Sequence, residues 1–181
     1  MKLLLALVLC LTTLTSYANP GKERAELQDM RKDVLTKLYK EKPGSRQEVA
    51  GAKGYAVFSN LGINLFLLST ARGGGILHDN RNGKDTYMKM FSAGVGIGLG
   101  VKDFSGVFIF HTTDALDGFL ESGWDFSGQA DANFESEEKG GGTEGAVTAI
   151  PGVQIYQLTD AGIALQATLQ GTKFWKNDEL N

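Results

Sequence analysis

Cysteine occurs once in this chain, at Cys10, and histidine twice, at His78 and His111. With no second cysteine there is no internal disulfide to staple the fold and no cysteine-based zinc site. Neither histidine has a partner at metal-ligand spacing, and a lone histidine at a strand end reads as a packing or surface residue. The motifs of nucleotide and acyl-transfer enzymes are missing too. There is no G-x-S-x-G elbow, and Gly83-Lys84 lacks both the upstream glycine and the following Ser or Thr of a phosphate-binding loop. The carboxylates between Asp114 and Glu144 fall at turns or on a helix face and read as solvated charge. No enzyme activity, cofactor, metal or nucleic-acid partner is therefore expected. A long apolar run is also lacking. Leu3 to Leu14 carries about a dozen mostly apolar residues, short of the roughly 20 that a spanning helix needs.

That short run has a different meaning in its context. Lys2 precedes it, and Ser16-Tyr17-Ala18 follows it with small residues two places apart. This is the three-part layout of a secretory signal peptide, with cleavage expected after Ala18. Leu9 precedes Cys10 where a lipoprotein signal needs a small residue, so lipidation is not expected. A mature chain of 19–181 loses Cys10 and Lys2 and keeps 17 basic against 21 acidic residues. It is long enough for one domain with its own core. The expected location is periplasmic or secreted. Charge is uneven: residues 22–53 carry +3 and residues 114–144 carry −8. A dipolar molecule of this kind can orient on a charged surface.

Residues 21–42 have helical spacing, with Leu27, Met30, Val34 and Leu38 forming a stripe that Leu35 and Tyr39 widen. Glu23 and Glu26 near its start and Lys37, Lys40 and Lys42 near its end suit the helix dipole. Pro43-Gly44 stops the helix. The stripe can serve as a membrane-interface anchor or as a face packed on a sheet. Ser45 and Glu48 form an S-x-x-E capping box that predicts a second helix to about Ala52.

After Gly54 the period shortens. Strand-length apolar runs are predicted at 55–59, 63–68, 75–79, 86–91, 106–110, 124–134, 146–150, 154–158 and 163–169. Asn82-Gly83 marks a hairpin between two of them, with both residues suited to positive φ. Thr112 or Thr113 is placed to cap a helix over 114–121. The glycines of Gly94-Val95-Gly96-Ile97-Gly98-Leu99-Gly100-Val101 alternate, so in a strand they share one face against which a helix, another sheet or a ligand can lie, a packed element being the expectation. The same stretch fails G-x-G-x-x-G, since no glycine stands three places after the second. Gly73-Gly74-Gly75 and Gly140-Gly141-Gly142 are weak candidates for backbone anion nests. The fold expected is α+β: N-terminal helices packed on a strongly curved, mostly antiparallel, glycine-rich β-sheet or partial barrel.

Four stretches, taken in order, resemble the SYLF-domain family in its exported bacterial branch. They are Ala52-Lys53-Gly54-Tyr55-Ala56-Val57-Phe58; Ser92 through the alternating glycines to Asp103 and on to Phe110; Gly123-Trp124-Asp125-Phe126-Ser127-Gly128-Gln129-Ala130-Asp131-Ala132; and Val153 to Gly162, then Leu165 to Thr168 and Gly171-Thr172-Lys173-Phe174-Trp175. The resemblance covers roughly residues 45 to 181. Together with the leader and the helix read above, it divides the chain into a signal peptide at 1–18, an N-terminal helix at 19–44 and a SYLF-like domain at 45–181. Eukaryotic members of the family are phosphoinositide- and membrane-binding modules, and fungal ones also bind actin. For an exported bacterial protein the resemblance implies binding to an anionic phospholipid surface, with actin not expected. Arg72, Lys84, Lys89 and Lys102 are the candidate head-group contacts. The alternative is an interaction protein whose partner is another envelope protein.

Export is expected to remove residues 1–18. Intact mass of the protein recovered from the periplasm should correspond to a chain beginning at Asn19. A mass starting at Met1, or an acyl chain on Cys10, would contradict this reading.

Overall fold

The computed structural model describes residues 20–59, 70–93, 105–126, 133–135, 147–159, 162–164, 166–169 and 171–181. The expectations for the leader, for 63–68, for the alternating glycines 94–101 and for Gly140-Gly141-Gly142 lie outside these residues. The α+β expectation holds: an N-terminal helix packs on a curled, antiparallel, half-barrel sheet.

Helix α1 runs Pro20–Glu41 and α2 runs Ser45–Gly51. Pro20 suits a first helical position, where its missing N–H costs nothing. Strand β1 (Gly54–Ser59) is followed by β2 (Thr70–Asp79), β3 (Lys84–Ala93) and β4 (Ser105–Phe110). Helix α3 spans Thr113–Ser122, and the Thr112 hydroxyl accepts from the Ala115 N–H at its start. Short strands β5 (Trp124–Asp125), β6 (Asn133–Glu135) and β7 (Val147–Ile150) lead to β8 (Val153–Thr159). The chain ends through β9 (Gly162–Ala164), β10 (Gln166–Thr168) and β11 (Thr172–Lys176). The main sheet has the order β5-β11-β3-β2-β1-β4-β8-β7, with β9 also on β8; β10 and β6 form a separate pair. Every pairing among the described strands is antiparallel.

Both faces of this sheet are covered, and strand alternation divides the apolar residues between them. One face carries Ala56, Phe58, Leu77, Met88, Phe108, Phe110, Ile155 and Phe174, closed by Leu116 and Phe119 of α3. Phe58 lies 5.3 Å from Phe108 and 4.7 Å from Phe174, and Phe119 lies 4.4 Å from Trp124 (ring centroids). The other face carries Val57, Val107, Ile109, Tyr156 and Leu158, covered by Val34 and Leu38 of α1 and Val49 of α2.

Two local expectations need correction. The Ser45–Glu48 capping box does not form. Helix α2 starts at Ser45 itself, Gly44 gives no side-chain cap, and the buried Ser45 hydroxyl donates to the Lys42 carbonyl. Glu48 is drawn away to the Tyr156 hydroxyl, which donates to it at 2.6 Å. The hairpin forms between the expected strands, and it is the φ of Asn82 that departs from expectation. Asp79 pairs with Lys84, so the loop has four residues, and only Gly83 takes a positive φ, of 74°. Asp79 sets that loop, accepting from the Arg81 N–H at 2.9 Å, from the Arg81 guanidinium and from the Asn82 amide.

Gly73-Gly74-Gly75 is not an anion nest. None of the three has a positive φ, and all lie inside β2. Their role is clearance. A Cβ on Gly75 would run into the Phe58 ring and, at 2.5 Å, the Val57 carbonyl oxygen. A Cβ on Gly74 would stand 2.8 Å from the Leu27 side chain of α1. The run therefore admits the aromatic core from one side and the helix from the other.

Gly75→Ala should lower the melting temperature, because the added methyl overpacks the contact by about 1–3 kcal/mol. Gly44→Ala is the control: its φ is −62° and nothing lies within 4 Å of the added methyl. Equal melts for the two variants would refute the clearance role.

Candidate functional site

The four candidate head-group cations do not form one patch. Lys84 is exposed at the hairpin tip, and Lys89 lies five residues along β3, roughly 17 Å away at the usual rise per residue. Arg72 is paired with Phe91 and Lys89 with Gly74 across β2 and β3. The Arg72 and Lys89 positions are thus diagonal neighbours, about 7–8 Å apart in such a ladder. Lys102 lies outside the described residues. Two of the four candidates are brought together, and Lys84 is left at the far end.

The stripe Leu27, Met30, Val34 and Leu38 faces the sheet. Leu38 is fully buried, Val34 is 5% exposed, Met30 packs on the same apolar cluster, and Leu27 fills the space over Gly74. A helix committed in this way cannot lay the same stripe into a lipid interface while the domain stays folded. The apolar surface it would carry to the membrane is already removed from water.

Strand β11 was missing from the sequence reading as a strand, and it adds to this region. Lys173 pairs with Phe91 and Trp175 with Lys89. Lys89 makes an ion pair with Glu179 at 3.0 Å, and Lys173 one with Asp125 at 2.9 Å. The strand-favouring residue types Thr172, Phe174 and Trp175 were available as a signal. The register of β11 against β3 was not.

Three polar clusters fasten the helices to this sheet. At the first, the Asp85 carboxylate accepts from Arg31 at 2.8 Å, from Gln28 at 3.0 Å and from Nδ1 of His78 at 2.6 Å. Burial pushes the Asp85 carboxyl up, but the hydrogen bonds from Gln28 and His78 and the charge of Arg31 outweigh it and hold it below the usual carboxylate range. At the second, Arg81 bridges Asp79 to Asp117 of α3. Hydrogen bonds from Arg81 hold Asp79 below that range, against its burial. At the third, His111 Nε2 lies 3.0 Å from the Gln154 amide oxygen, Gln154 donates to the Tyr156 hydroxyl at 3.1 Å, and Tyr156 donates to Glu48. Each histidine is therefore engaged by protein side chains, and His78 also lies against the Tyr55 ring, with 5.4 Å between ring centroids. Among the described residues no group of three His, Cys, Asp or Glu side chains is arranged to hold a metal ion. No helix among them is long and apolar enough to cross a membrane.

No family model matches the chain. The chain is 33% identical over 159 residues to the protein named Beta cell expansion factor A of Aeromonas veronii, an alignment that takes in 87% of this chain. It covers 58% of that relative, so the chain spans less than two thirds of the relative's length.

The Asp85 cluster gives stability a pH dependence of definite sign. A carboxyl whose folded pKa is depressed contributes fully above its unfolded value, near 4, and loses that contribution as pH falls through the folded value. Between about pH 6 and about pH 3, wild type should lose more unfolding free energy than Asp85→Asn. At neutral pH, Asp85→Asn should itself cost about 1–3 kcal/mol. Urea unfolding of both proteins across this range checks it, and parallel pH profiles would refute it.

Proposed function

We propose that this protein is an exported, non-enzymatic member of the SYLF-domain family that binds peripherally to anionic phospholipid surfaces of the cell envelope. The observation that carries this reading is the order and spacing of the four SYLF-like stretches between residues 45 and 181. All four contribute to described elements that build the sheet. Ala52 to Phe58 makes β1, the end of the second stretch makes β4, Gly123 to Phe126 makes β5, and Val153 to Trp175 contributes β8 and β11.

The chemistry required of such a surface is modest. Each basic side chain near an anionic membrane contributes about 1 kcal/mol, and the effect fades within a Debye length. A few such contacts yield micromolar-to-millimolar affinity once the cost of association is counted. The acidic segment 114–144 then faces away from the bilayer. Part of it is already neutralised within the fold, since Asp117 meets Arg81 and Asp125 meets Lys173.

Co-sedimentation with vesicles tests the reading. The protein should pellet with phosphatidylglycerol-containing vesicles at low salt, be released at high salt, and ignore phosphatidylcholine vesicles. Equal binding to neutral vesicles, or none to any vesicle at low salt, would reject it in favour of a protein partner.

A further inference from the structure

Asparagine is followed by glycine at one place in the sequence, Asn82-Gly83, and the fold holds that pair at the exposed tip of the β2–β3 hairpin. The pair has a chemistry of its own. The backbone nitrogen after an asparagine can attack that residue's side-chain amide carbon, and glycine, lacking Cβ, hinders the attack least. Here the two partners are folded toward one another. The Lys84 N–H donates to Asn82 Oδ1 at 2.8 Å, which turns the side-chain carbonyl back over the Gly83 peptide in an Asx-turn. That hydrogen bond also draws electron density from Cγ, the atom attacked, and steadies the charge that gathers on Oδ1. Apart from its chain neighbours, nothing lies within 4 Å of the place a Cβ on Gly83 would take, so a ring has room to close.

The same loop supplies a contrast. Asn80 is half-buried, and its side-chain nitrogen donates to the Val49 and Ala52 carbonyls of α2 at 2.8 and 3.0 Å. The residue after it is Arg81, whose N–H is held by the Asp79 carboxylate and whose side chain crowds an attack. The Gly83 N–H is also engaged, with the Asp79 carbonyl at 2.8 Å, but at an exposed tip where water replaces such a bond readily. Two asparagines in one loop thus differ in the access that solvent has to the attacking nitrogen and in the freedom of the amide it attacks.

We propose that Asn82 is a site of spontaneous deamidation, and that its conversion unfastens the hairpin from α3. The Gly83 nitrogen gives its proton to solvent base and bonds to Asn82 Cγ. The Cγ–Nδ2 bond breaks, and Nδ2 leaves as ammonia with a proton from water. One water then opens the succinimide ring at either carbonyl. The product is aspartate or, where the backbone is rerouted through the side chain, isoaspartate. One water is consumed and one ammonia released. Either product meets the group that organises the loop. Asn82 Nδ2 now donates to Asp79 Oδ2 at 2.9 Å, and after conversion an anionic oxygen takes its place, an acceptor facing an acceptor. Arg81 is already divided between Asp79 and Asp117 of α3. Asp79 and Asp117 are at present matched in number by Arg81 and the exposed Lys84; a third carboxylate leaves the loop with one negative charge in excess. The repulsion falls on Asp79, and through Arg81 on the bridge to α3.

Two measurements on the full chain test this. The folded protein is incubated at mildly alkaline pH in heavy-oxygen water, then digested with chymotrypsin in ordinary water and weighed by mass spectrometry. Residue 82 should lose its amide nitrogen, gain one heavy oxygen and appear as both aspartate and isoaspartate, while Asn80 in the same peptide stays intact. Separately, amide hydrogen exchange is compared among wild type, Asn82→Asp and Asn82→Ala. Exchange across residues 79–84 and in α3 should be faster in Asn82→Asp than in wild type, and should rise less in Asn82→Ala, which loses the amide donor without adding charge. Intact Asn82 after an incubation in which the urea-unfolded chain converts overturns the site. Conversion of Asn80 alongside Asn82 overturns the role given to the loop geometry, and aspartate without isoaspartate overturns the succinimide route. Wild-type exchange in Asn82→Asp, or equal exchange in the two variants, overturns the release of α3.

Discussion

The close approach of β1 to β2 is the contact on which the rest of the molecule depends. Phe58 is fully buried and sits at the meeting point of Phe108, Phe119 and Phe174, three rings from three different elements. It can stand there because Gly75, its cross-strand partner, has no side chain to compete for the space. Gly73 leaves the same kind of room beside the Ser59 carbonyl and Met90, and Gly74 leaves it on the opposite face for Leu27. One three-residue run thus sets the depth of the aromatic core and the height at which α1 rides. Side chains there would hold the layers apart, and the dispersion contacts that fill both faces would be lost together.

Sequence reading reached the elements whose signals are local. The α1 stripe, the stop at Pro43-Gly44, the Thr112 cap and the apolar runs of β1, β4 and β8 are written in neighbouring residues, and each stands close to where those residues place it. The miss at Ser45–Glu48 is of another kind. An S-x-x-E pattern states what two side chains can do for a helix end, whereas Tyr156, more than a hundred residues later, offers Glu48 a competing partner inside the fold. Tertiary competition of this sort leaves no local trace. The hairpin turned on a similar point: Asn-Gly allows a two-residue turn, but the Asp79 carboxylate organises a four-residue loop around Arg81 and Asn82.

The candidate site was less legible for a related reason. Arg72, Lys84 and Lys89 look equivalent as basic residues in one hairpin sequence. Register separates them, placing Arg72 and Lys89 in adjacent rows and Lys84 at the opposite end. The same register joins Lys173 and Trp175 to that region from a strand some eighty residues further on. Charge and aromaticity are properties of residues, but a surface is a property of strand order, and strand order here runs β11-β3-β2. The stripe of α1 shows the converse. Its amphipathicity suits lipid or sheet equally well, and only the presence of Val57, Val107 and Leu158 opposite it decides between them.

The row of polar groups from α2 to the end of β4 has a logic of its own. A carboxylate can only accept, so Glu48 obliges the Tyr156 hydroxyl to point its proton outward toward α2. The phenol oxygen also accepts from the Gln154 amide nitrogen, and the amide oxygen then faces His111. Facing that oxygen, His111 Nε2 donates. Glu48 thereby sets the hydrogen-bond role of a ring nitrogen with which it shares no contact, through one buried hydroxyl and one amide that cannot rotate independently. Neutralising that single carboxylate would release the orientation of every group along the row.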